Sequence, residues 1–100
     1  MTTLTSRADV TTDAPARYAK QLKSHLGRKV TFTEDADGGS TMVVGDARGR
    51  IIAGDGVLTL HAEAPDEETL ARIEHALGSH LERFGTRAEL AVTWHRSADA

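Results

Sequence analysis

Between residues 30 and 64, short stretches of β-branched and apolar residues alternate with segments composed mainly of Asp, Gly and Ser. Short strands joined by turns of that composition are typical of consecutive β-hairpins, whose strands pair antiparallel. The pattern predicts strands at 30–34, 41–44, 50–53 and 57–64, with turns at 35–40, 45–49 and 54–56. This stretch therefore restricts the fold to one built on a largely antiparallel sheet.

A strand and a helix are predicted before this region. Residues 4–10 alternate between apolar and polar side chains, as a half-buried strand does. Side-chain oxygens at 11–13 can cap a helix, and Pro15 is tolerated in its first turn. The helix carries one apolar stripe: Tyr18, Leu22 and Leu26. Gly27 is expected to end it.

A second helix and a final strand are predicted after this region. Asp66 can cap the helix start, and the two glutamates that follow favour the positive end of the helix dipole. The helix is expected to run to about residue 84 along one apolar stripe: Leu70, Ile73, Leu77, Leu81 and Phe84. A strand over 89–95 places Leu90, Val92 and Trp94 on one face.

The predicted elements follow the order β-α-β-β-β-β-α-β. Each helix has one apolar stripe to bury, so both are expected on one face of the sheet, in a two-layer α+β sandwich. A chain of 100 residues makes one domain, which we expect to be ordered over about 4–96. Because 15 of the 39 hydrophobic residues are Ala, the core is thin. A thin core favours a surface groove or a dimer interface over an enclosed ligand cavity.

Composition excludes several function classes. The chain has no Cys, so disulfides, cysteine zinc sites and thiol nucleophiles are excluded. No apolar run approaches the roughly 20 residues that cross a bilayer, and the first residues do not resemble a signal peptide. We therefore expect a cytoplasmic protein that does not enter a membrane.

Charge is unevenly distributed along the chain. Residues 14–31 hold five basic residues and no acid, whereas residues 63–82 hold six acids and one base. The first helix thus carries a basic patch: Arg17, Lys20, Lys23 and Arg28. Nucleic-acid binding is one interpretation, but a net charge of −3 and only four aromatic residues argue against it. A solvated helix face, or contact with the acidic second helix of another copy in a homodimer, is favoured.

A pentapeptide, Ser-His-Leu-x-Arg, occurs at 24–28 and again at 79–83, near the end of each predicted helix. His25 and His80 each flank the apolar stripe of their helix, so both side chains are expected to point towards the sheet edge or the groove between the helices. There they can meet as an acid-base pair or as metal ligands. The simpler interpretation is a histidine at the rim of the core whose ring nitrogen bonds a backbone carbonyl, because two histidines alone do not complete a zinc or iron site. The sequence thus assigns no catalytic residue, metal or cofactor.

Two segments are the most specific in the chain. They are Arg-Tyr-Ala-Lys-Gln-Leu-Lys-Ser-His at 17–25 and Ser-His-Leu-Glu-Arg-Phe at 79–84. With these segments the chain resembles DUF2218, a family of small bacterial proteins of uncharacterised function. The resemblance covers nearly the whole chain and implies an association with iron uptake and with siderophore-interacting flavoproteins. It marks three positions of interest, which with Tyr18 make the candidate ligand or groove residues: His25, His80, Arg83 and Tyr18.

Three functional hypotheses follow. The leading one is a small accessory or binding module without catalysis of its own, linked to iron or siderophore handling. A second is a small enzyme that uses His25 and His80 as an acid-base or metal-ligand pair, which a separation of more than about 10 Å between the rings with no cleft between them would exclude. A third is a nucleic-acid-binding protein that uses the basic first helix.

Overall fold

A computed structural model describes residues 3–28, 30–36, 38–84 and 92–99. The predicted element order, β-α-β-β-β-β-α-β, is confirmed. The elements are β1 (Thr3–Thr11), α1 (Pro15–Leu26), β2 (Phe32–Glu34), β3 (Ser40–Val44), β4 (Ala47–Ala53), β5 (Val57–Ala64), α2 (Glu67–Phe84) and β6 (His95–Asp99).

The six strands form one antiparallel sheet in the order β2-β3-β4-β5-β1-β6. β2 to β5 are consecutive hairpins, as predicted. β1 lies between β5 and β6 and pairs with both, so strands from opposite ends of the chain become neighbours. Both helices pack against β4 and β5, and α2 also contacts β1. The sheet therefore has one helix-covered face and one face without helices, which we call the open face.

The two helix starts differ in how well they follow the sequence signals. α1 begins at Pro15, but its N-cap residue is Ala14, with no side-chain cap hydrogen bond, and Thr12 Oγ1 accepts a hydrogen bond of 3.2 Å from the Ala14 N–H instead. Ahead of α2, Asp66 Oδ1 accepts a hydrogen bond of 2.7 Å from the Thr69 N–H. Asp66 is thus the capping residue that its position predicted.

The turn predicted at 45–49 is shorter in the structure. Val44 pairs directly with Ala47, so only Gly45 and Asp46 connect β3 to β4. Gly45 has a φ of +60°, the left-handed conformation that the first position of a tight two-residue hairpin turn requires. The predicted strand start at residue 50 is therefore wrong, and Arg48 and Gly49 lie within β4.

The final strand also differs from the prediction. β6 begins at His95 and pairs with β1 through Asp99, across residues that the sequence suggested were frayed. Val92 and Trp94, predicted to lie in this strand, are not in a strand and pack beside α2 against the core. Their apolar alternation reflects contact with the helix rather than strand pairing. Residues 89–91, with Leu90, lie outside the described residues.

The core is the layer between the helices and the sheet. Its sheet side is rich in small residues, and its buried hydrophobic members are Ala8, Val10, Ala19, Leu22, Leu26, Met42, Ala47, Ile51, Leu58, Leu60, Ala62, Ala64, Leu70, Ile73, Leu77 and Leu81. At Gly49 the approach of α2 is especially close. A Cβ atom there would lie 3.2 Å from Leu77 Cδ1 and 3.3 Å from Ile73 Cγ2, so only glycine fits without displacement of its neighbours.

An ion pair connects α2 to the last strand. Glu74, only 8% exposed, accepts hydrogen bonds from Arg96 Nη2 at 2.6 Å and from Arg96 Nε at 3.1 Å. Arg96 lies on β6 opposite Ser6 of β1. The Arg96 hydrogen bonds hold the pKa of the Glu74 carboxyl below its ordinary value. This bidentate pair fixes β6 against the helix layer.

Replacement of Gly49 by Ala is expected to lower the free energy of unfolding by about 1 to 3 kcal/mol, because extra volume in a packed core forces its neighbours apart. The nearest atom to the new Cβ is Met42 Cε, at 2.8 Å. Shortening Met42 to Val in the Gly49→Ala background is expected to recover part of the loss. Urea unfolding of both single variants and the double variant measures this coupling. A Gly49→Ala variant as stable as wild type would contradict the close approach of α2.

Replacement of Glu74 by Gln is expected to lower the free energy of unfolding by about 1 to 3 kcal/mol at pH 7, the range for hydrogen bonds to charged groups. Because the folded pKa of Glu74 lies below its unfolded value, near 4.5, the stabilisation is complete above that value. It is lost as the pH falls through the folded pKa. Urea unfolding at pH 7 and pH 3 checks this, with Glu68→Gln, in an exposed pair with Arg72, as the control of small effect. A loss for Glu74→Gln that is equal at both pH values would contradict it.

Candidate functional site

The open face of the sheet carries a row of polar side chains across five strands. Successive side chains of a strand point to opposite faces of the sheet. The neighbours of residues buried against the helices therefore lie on the open face. In register, Arg7 lies opposite His61 and His95, and Arg50 lies opposite His61 and Thr41. His61 of β5 thus lies between an arginine of β1 and an arginine of β4.

A groove of about 600 Å³ surrounds His61 on the open face. Its lining is predominantly polar and comes from β1, the β2–β3 turn, β3, β4 and β5: Arg7, Asp35, Thr41, Arg48, Arg50, Ile52, Thr59, His61 and Glu63. The lining contains three arginines and two carboxylates. The groove therefore has a small excess of positive charge when His61 is neutral.

Arg50 is held in position by a carboxylate. Its Nε and Nη2 donate to Asp35 Oδ2 at 3.3 and 3.2 Å. The same oxygen accepts a hydrogen bond of 2.6 Å from the Thr41 hydroxyl. Asp35 thus fixes the Arg50 guanidinium over the groove.

Arg7 and Arg48 are less constrained than Arg50. Arg7 Nε lies 3.2 Å from Asp9 Oδ1, and Asp9 also accepts a hydrogen bond of 2.8 Å from the Thr59 hydroxyl. The Thr59 bond, together with Arg7, lowers the pKa of Asp9. Arg48 is exposed and makes no ion pair with any residue that the structure describes. Its guanidinium is the one that an anion in the groove would contact without disrupting an existing pair.

His61 is the titratable group at the centre of the groove. Burial lowers its pKa below the ordinary value of 6.5, Glu63 acts in the opposite direction, and the like charges of Arg50 and Arg7 lower it further. The ring is therefore mainly neutral near pH 7. An anion bound between the two arginines would reduce their repulsion and favour the protonated ring.

The two histidines of the repeated pentapeptide meet between the helices. The ring centroids of His25 and His80 lie 4.6 Å apart with the rings tilted by 45°. The Nδ1–H of His80 donates to the Ala76 carbonyl at 2.6 Å, since a carbonyl oxygen can only accept. The two rings are thus closer than the separation that would exclude a paired role. His80 also makes the hydrogen bond to a backbone carbonyl that the simpler interpretation predicted.

The other two candidate groove residues lie on α1 and α2. Tyr18 is partly buried against the hydrophobic core, and Arg83 is exposed in the last turn of α2. On the outer surface of α1 a shallow depression of about 360 Å³ includes His25 and four polar neighbours: Lys20, Gln21, Ser24 and Arg28. The role of each of these residues stays a prediction.

The basic patch of α1 is smaller than the sequence suggested. Arg17, Lys20 and Arg28 are exposed. Lys23 is half-buried, and its Nζ lies 3.2 Å from Glu34 Oε1 on β2. Lys23 therefore connects α1 to the edge of the sheet and is not part of a free cationic surface.

Within residues 3–28, 30–36, 38–84 and 92–99, no group of three or more His, Asp and Glu side chains is arranged to hold a metal ion. In the same part of the chain, no helix is long and apolar enough to cross a membrane.

The groove was not among the candidate sites that the sequence suggested. Residue 48 was predicted to lie in a turn and residue 50 at a strand start. The missed signal is Arg48-Gly49-Arg50, in which a buried glycine separates two residues that share the opposite face. Assembly of the groove also needs the order of the strands, which the local sequence does not determine.

Replacement of Arg50 by Gln is expected to raise the pKa of His61, because one like charge beside the ring is removed. NMR titration of the His61 ring measures the change. The matched control, Arg17→Gln, removes an exposed charge from α1 and is expected to leave the titration unchanged. An unchanged His61 pKa in Arg50→Gln would contradict the arrangement of the groove.

The comparisons with known proteins agree with the fold and name no activity. The family described as "Uncharacterized protein conserved in bacteria (DUF2218)" matches residues 7–95. The NMR structure of PA4090 from Pseudomonas aeruginosa is similar, with a TM-score of 0.71 and 25% identity over 95% of this chain and 96% of that one. A de novo designed protein with a ferredoxin fold, LFR1 1, has a TM-score of 0.50 and 17% identity over 100% of this chain and 87% of its own. No curated protein matches the sequence.

Proposed function

This chain belongs to DUF2218, a bacterial family that is described as uncharacterised, and we propose its function from its own surface: it is a small binding module that holds an anionic ligand in the groove of the open face. The observation that carries the proposal is the exposed Arg48, which lies opposite Glu63 in register and lines the same groove as Arg7, Arg50 and the half-buried His61. Guanidinium groups bind carboxylates and phosphates through paired hydrogen bonds.

The groove has the size and chemistry of a ligand site. Its volume of about 600 Å³ falls within the range of about 300 to 1,000 Å³ for small-molecule pockets. The carboxylates Asp35 and Glu63 in the lining limit the excess of positive charge. We therefore expect a ligand with few negative charges and several oxygen acceptors, held with moderate affinity.

The proposal is one of binding rather than catalysis. The two hydroxyl groups of the lining, those of Thr41 and Thr59, donate to Asp35 and Asp9. His61 lies between two arginines, which disfavour its protonated form. Neither hydroxyl is paired with His61 as a nucleophile with its base would be.

A narrower proposal concerns the ligand. Ferric siderophores that carry a net negative charge present oxygen hydrogen-bond acceptors to their surroundings, and their charge is opposite to the excess charge of the groove lining. The implied family association with siderophore-interacting flavoproteins supports this ligand class, with such a flavoprotein as the partner and the cytoplasm as the location. The homodimer in which basic α1 meets acidic α2 of another copy stays a prediction.

Isothermal titration calorimetry with citrate, ferric citrate and the cationic complex ferrioxamine B tests the general proposal of an anionic ligand and the narrower one of a ferric siderophore. Binding of citrate and ferric citrate, without binding of ferrioxamine B, is expected, because the groove selects for negative charge. Ferric citrate binding tighter than free citrate supports the siderophore class, and equal binding of the two supports an organic anion without iron.

The variant Arg48→Gln is expected to weaken citrate binding about tenfold, because it removes one charged hydrogen-bonding group. It should fold normally, since Arg48 makes no ion pair among the described residues. The control Arg17→Gln removes the same charge from α1 and is expected to bind citrate as wild type does. No saturable binding, or equal losses in the two variants, would contradict the groove as the site.

A further inference from the structure

We propose that His25 and His80 together bind one divalent transition metal ion of the class that prefers imidazole nitrogen, Cu²⁺, Ni²⁺ or Zn²⁺. This site lies in the helix layer, on the other side of the sheet from the groove. It is independent of the anion-binding function proposed above.

The separation of the rings is compatible with two ligands of one ion. Imidazoles that each bind a metal through a ring nitrogen at about 2.0 to 2.1 Å have centroids about 4.5 to 5.2 Å apart when the angle at the metal is near 90° to 109°. The centroids of His25 and His80 lie 4.6 Å apart. One nitrogen of each ring is therefore within reach of a shared ion once the side chains rotate to face it.

The hydrogen bond of His80 prepares its ring for metal binding. When Nδ1 donates to the Ala76 carbonyl, at 2.6 Å, the lone pair remains on Nε2. Metal-ligating histidines almost always donate their second nitrogen to a carbonyl or carboxylate in this way, which fixes the tautomer and the ring orientation. His80 thus has its supporting contact before any ion arrives.

The helices hold the two rings together without the metal. Leu22 and Leu26 of α1 and Leu77 and Leu81 of α2 are buried in the common core, and each histidine is next to one of these leucines in sequence. An ion bound to both rings would therefore cross-link α1 and α2 in their existing positions. Because the ion binds the folded chain preferentially, it should raise the unfolding temperature.

The site is open and has positive neighbours. His25 is exposed, and Lys20 and Arg28 line the same depression. With no group of three ligands among the described residues, water or an external donor completes the coordination shell. We therefore expect micromolar rather than nanomolar affinity. The affinity should not fall with added inert salt, because salt screens the repulsion between the metal ion and the side chains of Lys20 and Arg28.

The test is calorimetric titration of tag-free protein at pH 7.5 with Zn²⁺, Ni²⁺ and Cu²⁺, supported by electron paramagnetic resonance of the Cu²⁺ form. One equivalent is expected to bind, with nitrogen ligation in the resonance spectrum. His25→Ala and His80→Ala are each expected to weaken binding about tenfold or more. The matched control is His75→Ala, which removes an exposed histidine from the same helix as His80.

Three results would overturn the proposal: no binding up to about millimolar metal, binding that survives His25→Ala, or a loss in His75→Ala equal to that in His25→Ala. Because His25 is exposed, His25→Ala is expected to fold, which circular dichroism checks. The inference therefore remains falsifiable even if His80→Ala is unstable. A Zn²⁺-dependent rise in unfolding temperature that is present in wild type and His75→Ala, and absent in His25→Ala, is the second supporting readout.

Discussion

The close approach of α2 to β4 at Gly49 is the contact on which both the fold and the groove depend. A Cβ atom at this position would press on Leu77 and Ile73 of the helix, so the glycine lets α2 pack tightly against the sheet. Its strand neighbours Arg48 and Arg50 must then face away from the helix. Burial of one glycine thus places two guanidinium groups side by side on the open face.

The thin core determines where binding can occur. Small residues such as Ala8, Ala47 and Ala62 bring the helices close to the sheet, and a layer this thin favours binding at the surface over an enclosed ligand cavity. Both proposed sites accordingly lie at the surface. The groove uses the open face of the sheet, whereas the pair of His25 and His80 uses the seam between the helices. The two can be occupied independently.

Much of the fold was predictable because it depends on local periodicity. The stripes of α1 and α2, the cap at Asp66 and the alternation in β5 follow from patterns of three to eight residues. Local interpretation failed at Gly45, which allows a tighter turn than its composition suggested, and at Val92 and Trp94, whose apolar alternation serves contact with α2. The strand order requires the pairing of β1 with β5 and β6, which no local pattern encodes.

The two candidate sites also differ in how far the sequence could predict them. The juxtaposition of His25 and His80 could be proposed from the sequence, because each residue flanks the buried stripe of its own helix. The groove could not be proposed, because Arg7, Arg50 and His61 come from three strands whose order in the sheet was unknown. The observed register makes His61 the natural reporter of this site, since its protonation responds to the charge between the two arginines.

The most direct test of the central claim is the pKa of His61, measured by NMR with and without saturating citrate. The account predicts a higher pKa in the presence of citrate, because an anion between Arg7 and Arg50 offsets the charges that disfavour the protonated ring. A His61 titration that citrate leaves unchanged, while citrate binds elsewhere or not at all, would contradict it.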